Sequence, residues 1–351
     1  MKRNYGIDLL RIIAMFFVIV LHIVGVGGIC ANAELLSTNF LTSQFLRTAT
    51  VCAVNIYALI SGFVGWNRKP KPSTLLNLWL KVICFCLFAT VFTWLRDDAL
   101  VGWADVTKAL KPVTNATYWY FSAYVGLFFF SPVLNHAARS ITPGEARLAV
   151  GGLSLVILSL WFSKIKDVFL VGSGYSTLWL MVMYLFGALM ARFEIHKKRS
   201  ARKWALLFLL AVLANWLPRM VLLWYSPEYW TPANQNLKLQ YTSPTVILAA
   251  VAMVGWFSRL EPGTRAEKAI SKVSPPAFGV FLFHTHPLIF ATAIKNQFIF
   301  LSAASASRML LVTFGSAVLI FVLGAALDWL LTLAIRTLRI DRLLKWPDRF
   351  F

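Results

Sequence analysis

Charge is scarce in this 351-residue chain. Only 14% of its residues are charged, and acids are scarcer still, with 14 Asp and Glu against 34 Lys and Arg. An ordinary soluble domain carries about 25% charged residues, so a pair of soluble domains, which the length would allow, is excluded. Cysteine is sparse too. Cys30, Cys52, Cys84 and Cys86 show no metal-ligand or redox spacing, and the last two sit one residue apart inside an apolar run. They read as small packing residues. No repeat of 20–50 residues is visible, which excludes a solenoid, and no Pro/Ser-rich linker divides the chain.

What is present is apolar sequence: 59% hydrophobic residues and a mean hydropathy of +0.69. Apolar runs recur along the whole chain, and about 20 residues suffice to cross a bilayer. The expected fold is all-α, a polytopic membrane bundle of about ten spans forming one domain over 1–351. The spans are expected at 7–29, 44–66, 75–95, 118–136, 148–165, 176–192, 203–225, 242–258, 277–294 and 308–335. Lys2 and Arg3 before the first run resemble a signal peptide, but Arg11 and His22 interrupt it, so it reads as an uncleaved span.

The net charge of +20 raises nucleic acid as a partner and the distribution excludes it, because the basic residues cluster between apolar runs. With the N-terminus inside, 22 of the 34 Lys and Arg fall in cytoplasmic segments, the densest being Arg192, Lys197, Lys198, Arg199, Arg202 and Lys203. Eight fall outside: Arg96, Lys108, Lys111, Lys164, Lys166, Lys238, Lys295 and Arg308. Arg11, Arg47, Lys81 and Arg219 lie within spans or at their edges. This bias predicts an even span count and both termini in the cytoplasm of a bacterial inner membrane.

Ionisable residues inside spans are costly and mark function. Arg11 and His22 are eleven residues apart, three helical turns plus about 20°, so both project from one face of the first span. Arg11 is expected at the cytoplasmic mouth, with Asp8 in range to pair with it, and His22 at mid-membrane or beyond. A planar guanidinium suits phosphate, and an imidazole suits proton transfer near neutral pH. The blander alternative is a snorkelling arginine and a hydrogen-bonded histidine. Lys81, early in the third span, would meet an anionic substrate or snorkel. His284 and His286 lie in the inner half of the ninth expected span, beside Pro287, which disturbs the helix, as satisfied core histidines or as functional groups. Trp119, Tyr120 and Tyr124 open the fourth span from the outside, as an interfacial belt or a sugar platform. Arg219 could face an outer vestibule, and Asp328 could pair with a base near the cytoplasm.

The stretch Ile7-Asp8-Leu9-Leu10-Arg11, ten residues and then His22 resembles the signature of the acyltransferase-3 membrane family. Ala53 to Phe63, ending Ser61-Gly62-Phe63, resembles that family's second-span block. Trp119-Tyr120-Phe121 leading to Ser131-Pro132, and Phe278-Gly279-Val280-Phe281-Leu282-Phe283-His284, resemble two later ones. The blocks follow the family's order over residues 6 to 290. Two positions depart: Lys81 stands where many members carry an arginine pair, and Phe281 replaces a tyrosine.

The resemblance implies an integral-membrane O-acyltransferase that passes an acyl group, commonly acetyl, from cytoplasmic acyl-CoA to a hydroxyl of a surface carbohydrate. Acyl-CoA would be a substrate, with no resident cofactor or metal. Arg11 and Lys81 would bind the donor, and His22, with Arg11, would carry the chemistry as base or as acyl relay. Trp119, Tyr120, Tyr124 and His284 would meet the acceptor. The competing readings are a transporter or flippase for a lipid-linked sugar, and a structural or regulatory membrane partner.

Overall fold

The computed structural model describes residues 3–162, 167, 169–230 and 239–350. Lys2, Lys164, Lys166 and Lys238 of the charge comparison, the last residues of the fifth expected span, and half of the expected outer loop 226–241 lie outside the described residues.

The described residues form an all-helical bundle without strands. Helix α1, Tyr5–Val24, starts where Asn4 accepts a hydrogen bond from the Ile7 amide at 3.0 Å, a side-chain oxygen satisfying an amide that the first turn leaves open. It stops at a glycine-rich turn with Gly28 at φ +99°, followed by the single-turn α2, Ile29–Asn32. The expected span 7–29 therefore ends early. The expected span 44–66 begins earlier and is two helices, α3, Thr38–Thr50, and α4, Ala53–Gly65. Just before the join, the Thr48 and Thr50 hydroxyls donate back to the carbonyls of Gln44 and Leu46 at 2.8 and 2.7 Å, a pattern that bends helices.

Helix α5, Pro72–Arg96, opens on proline, which has no amide to leave unsatisfied. Helix α6, Trp103–Leu110, lies in a segment expected as loop. Helices α7 (Trp119–Ser140), α8 (Pro143–Phe162), α9 (Thr177–Arg192), α10 (Ala201–Tyr225) and α11 (Pro244–Ser258) follow the expected spans within a few residues. Helix α12, Thr264–Val273, is a further helix in expected loop. The expected span 277–294 is broken into α13, Ala277–Thr285, and α14, Pro287–Ala293. His286 between them is extended, at φ −60° and ψ 130°, because the Pro287 ring crowds helical geometry at the residue before it. Helix α15 covers Ala306–Thr337 and the one-turn α16 covers Ile340–Leu343.

Among the described residues, five stretches are long and apolar enough to cross a membrane: Tyr5–Asn32, Thr38–Gly65, Pro72–Arg96, Ala201–Tyr225 and Ala306–Thr337. Helices α9 and α11 are shorter apolar helices packed against α4 and α10. Helix α1 is the hub, touching α3, α4, α11, α13 and α15. The outer helices are inverted relative to a soluble protein: α15 exposes Leu311, Leu319, Leu330 and Leu333 while burying Thr313 and Asp328. That arrangement suits hydrocarbon surroundings.

The α4–α9 contact shows why small residues sit in the second block. A methyl group on Gly62 would overlap the carbonyl oxygen of Tyr184, and one on Gly187 would overlap that of Leu59. The two helices meet backbone to backbone, a packing that only glycine permits and that membrane helices use widely.

Candidate active site

Helix α1 carries the polar stripe that organises the interior. Asp8 is buried between two arginines: the Arg3 Nε donates to its Oδ2 at 2.6 Å, and the Arg11 guanidinium pairs with its Oδ1. The trio keeps one net positive charge, and Asp8 holds Arg11 in a fixed orientation. Tyr57 of α4 donates its hydroxyl to the Arg11 carbonyl at 2.7 Å, locking this turn of α1 to α4.

Arg11 and His22 line one cavity of about 580 Å³. Trp119, Tyr120 and Tyr124 line it as well, with Tyr57, Ser61 and Phe281. The aromatic residues expected as an outer sugar platform therefore share the arginine's cavity. At its basic end, Arg3, Asp8 and Arg11 also line a second space of about 870 Å³, which Arg68, Arg192, His196 and Lys197 enclose further out. Several of these cations have partners. Arg192 donates to the Ala138 and Ile141 carbonyls. Lys197 pairs with Glu194, whose carboxyl is held below its ordinary range by that hydrogen bond. Burial holds the His196 imidazole below its ordinary value.

On the other side of His22 lies a third cavity, of about 510 Å³, lined by Gly25, Cys30, Arg47, Ser173, Tyr175 and Gln240 among others. Leu21, His22 and Tyr241 belong to the walls of both this space and the 580 Å³ cavity. Beside them, Trp119, Tyr175 and Tyr241 form an aromatic cluster, with ring centres 4.5 Å apart for Trp119–Tyr175 and 4.9 Å for Tyr175–Tyr241. Tyr241 is held from behind: its carbonyl accepts from the buried Asn55 at 2.8 Å, and the Asn55 oxygen accepts from the Trp179 indole at 2.9 Å.

The His22 Nδ1 is buried without a hydrogen-bond partner. Its ring lies 5.3 Å from that of His284 and edge-on to Phe290 at 5.0 Å. His284 lines none of the three cavities. It is buried behind His22 with its Nδ1 2.6 Å from the Val280 carbonyl, so Nδ1 carries the proton and Nε2, itself without a partner, presents a lone pair. His286 lies at the helix break, 5.9 Å from the Tyr118 ring.

Lys81 is not in the cavity walls. Its ammonium sits 2.7 and 2.8 Å from the two carboxylate oxygens of Asp328, across α5 and α15. Arg219 reaches one turn of α3 through long contacts to Thr48 (3.4 Å) and Gln44 (3.5 Å), with Trp230 beneath its guanidinium. Sequence reasoning missed Tyr241, Tyr175 and Arg47 as cavity residues. Arg47 stood out only as a charge within a span or at its edge, and neither tyrosine was singled out.

A family model described as an acyltransferase domain matches residues 4–331. Neither a curated protein nor a solved structure matches the chain.

Proposed function

The chain belongs to the acyltransferase-3 family and is a membrane acyltransferase, and from this we propose that it moves an acyl group, most simply acetyl, from cytoplasmic acyl-CoA to a carbohydrate hydroxyl presented at the opposite face. The observation that carries this reading is the position of His22 in a wall common to two cavities, one running to the arginine-rich end and one opening at the other end. A donor and an acceptor entering from opposite sides would meet at that imidazole.

The arginine-rich end fits the cytoplasmic side by the positive-inside rule, and the space around Arg3, Arg68 and Arg192 suits the phosphates of CoA. Arg11 would grip the donor where that space narrows, its fork oriented by Asp8. The aromatic walls from Tyr57, Tyr120 and Phe281 would enclose the pantetheine arm and its thioester. Lys81, committed to Asp328, would act as a structural group.

In the transfer itself His22 takes the proton of the acceptor hydroxyl as its oxygen attacks the thioester carbonyl. The C–O bond forms, the C–S bond breaks, and the departing CoA thiolate takes up the proton. His284, with its proton held on Nδ1 by Val280, would accept a hydrogen bond from His22 and keep the other edge of His22 free as the base. Two cavities converging on one residue favour this direct route over an acyl-histidine relay.

The test uses the purified full chain in proteoliposomes, with acetyl-CoA on one face and an acceptor glycan on the other. CoA release coupled to glycan acylation across the bilayer supports the reading. Sugar movement without acetyl-CoA consumption would establish the transporter alternative instead. A reporter fused after Phe351, a position outside the described residues, should give a cytoplasmic signal.

A further inference from the structure

We infer that the end of the chain, residues 336–350, lies along the membrane surface and binds anionic phospholipid headgroups, with its leucine and aromatic side chains in the bilayer boundary and its arginines on lipid phosphates. This goes beyond the acyl-transfer reading and does not depend on it.

Both ends of the segment are held where a span meets the headgroups. Helix α15 has 32 residues and at 1.5 Å per residue is about 48 Å long. A bilayer with its headgroups is about 40–45 Å thick, so the last turn of α15 reaches the headgroup layer. Arg339, at φ +56°, ends the helix and turns the chain off its axis into α16. Further on, Asp348 accepts from the amide and hydroxyl of Ser73, in the first turn of α5, another of the long apolar helices. A segment that leaves one span and is pinned to the start of another runs along the surface between them.

The side chains there suit such a surface. Leu338, Leu343, Trp346 and Phe350 are between 61% and 74% exposed, and the Trp346 and Phe350 rings meet edge to face at 5.0 Å. Side chains of this kind gain by entering the layer between headgroups and acyl chains. Arg336, Arg339, Arg342 and Arg349 are interleaved with them and exposed. Among the described residues none of these four arginines pairs with an acid, and Asp348 is committed to Ser73. Lys69 and Lys71, exposed just before α5, extend the basic rim. A guanidinium fork matches a phosphodiester in geometry and charge, and an anionic surface adds attraction for every cation near it. An acidic soluble partner would answer the charge but not the four apolar side chains, whereas an anionic bilayer answers both.

The experiment measures hydrogen exchange of the backbone amides of 338–350 in the full chain. Three media are compared: nanodiscs of phosphatidylcholine alone, nanodiscs of phosphatidylcholine with phosphatidylglycerol, and a non-ionic detergent. The Asp348–Ser73 contact is common to all three and sets the baseline. One basic residue near an anionic surface favours docking about fivefold, so exchange in the phosphatidylglycerol discs should be slower on the order of tenfold or more. Raising salt on the wild-type protein should narrow that difference, a check that needs no variant. Replacing Arg336, Arg339, Arg342 and Arg349 together by Gln should abolish it, and replacing the same four by Lys should keep most of it. Equal exchange in the two kinds of disc overturns the inference, as does a difference that survives the four Gln replacements. Protection as strong in detergent as in the phosphatidylglycerol discs overturns it too, because protein and not lipid would then cover the segment.

Discussion

The imidazoles of His22 and His284 lie 5.3 Å apart, centre to centre, tilted by 49°, and a buried nitrogen of each lacks a partner. Substituting His22 with Gln keeps polarity and size but removes the base. Acyl transfer should fall by about 10²–10⁴-fold, with normal insertion into the membrane. His284→Gln should lower kcat less and shift its pH dependence, because it acts on His22 and not on the substrate. Side-by-side CoA-release assays decide, and substantial turnover in His22→Gln would make the residue a packing element.

Arg11→Ala should raise KM for acetyl-CoA with kcat less affected, the mark of lost ground-state binding. Arg11→Lys should rescue it incompletely, since a point charge does not reproduce the bidentate fork. Asp8→Asn should move donor KM in the same direction, because Arg11 loses the carboxylate that orients it. Unchanged donor kinetics in correctly inserted Arg11→Ala would remove the residue from the donor site.

How much of this was legible in the chain depended on whether the information was local. The Arg11–His22 stripe is a property of one helix, and the structure places both side chains in one cavity. Helix starts followed less evenly: α9 begins beside Ser176, where its span is expected to open, but Ser37 caps a helix that starts well before the expected residue 44. Pairings between distant segments were not legible. Lys81 and Asp328 are 247 positions apart, so the lysine looked available for an anionic ligand. Tyr241 reaches the septum from a span end, and only its Asn55–Trp179 support fixes it there. Helices α6 and α12 lie in segments with no long apolar run, where a reading built on hydrophobicity sees loop.

The Lys81–Asp328 pair is largely buried, at 19% and 3% side-chain exposure. Removing either partner alone should destabilise the protein by about 3–5 kcal/mol, since the other charge is left buried and unpaired. The double replacement Lys81→Met with Asp328→Leu should recover most of that stability. Thermal unfolding in detergent tests the stability cycle. Donor KM should be unchanged in the double variant, and a raised KM would return Lys81 to the donor site.

Near the end of the chain, Asp348 accepts from the Ser73 amide at 2.9 Å and the Ser73 hydroxyl at 2.6 Å, tying the tail to the start of α5. These bonds hold the Asp348 carboxyl below its ordinary range. A depressed carboxyl contributes stability above its unfolded pKa and loses it as pH falls through the lowered folded value. The tail should therefore stay docked from neutral pH down to about 4, the ordinary aspartate value, and detach below it. Asp348→Ala should be undocked throughout. Trypsin cleavage after Lys345 at pH 7, and distance labels on tail and α5 across the acidic range, would check both statements.

The shared wall of Leu21, His22 and Tyr241 has a second consequence, one of insulation. Two hollows that nearly meet inside a bilayer form most of a channel, and at 100 mV each proton crossing would dissipate about 2.3 kcal/mol of the cell's stored gradient. The side chain best suited to hand a proton onward is itself part of the barrier. On the proposed reading, the tight packing of Tyr241 against Trp119 and Tyr175, and its anchorage to Asn55, would serve the cell's energetics as much as the reaction: the septum would have to let two substrates touch while keeping two compartments electrically apart.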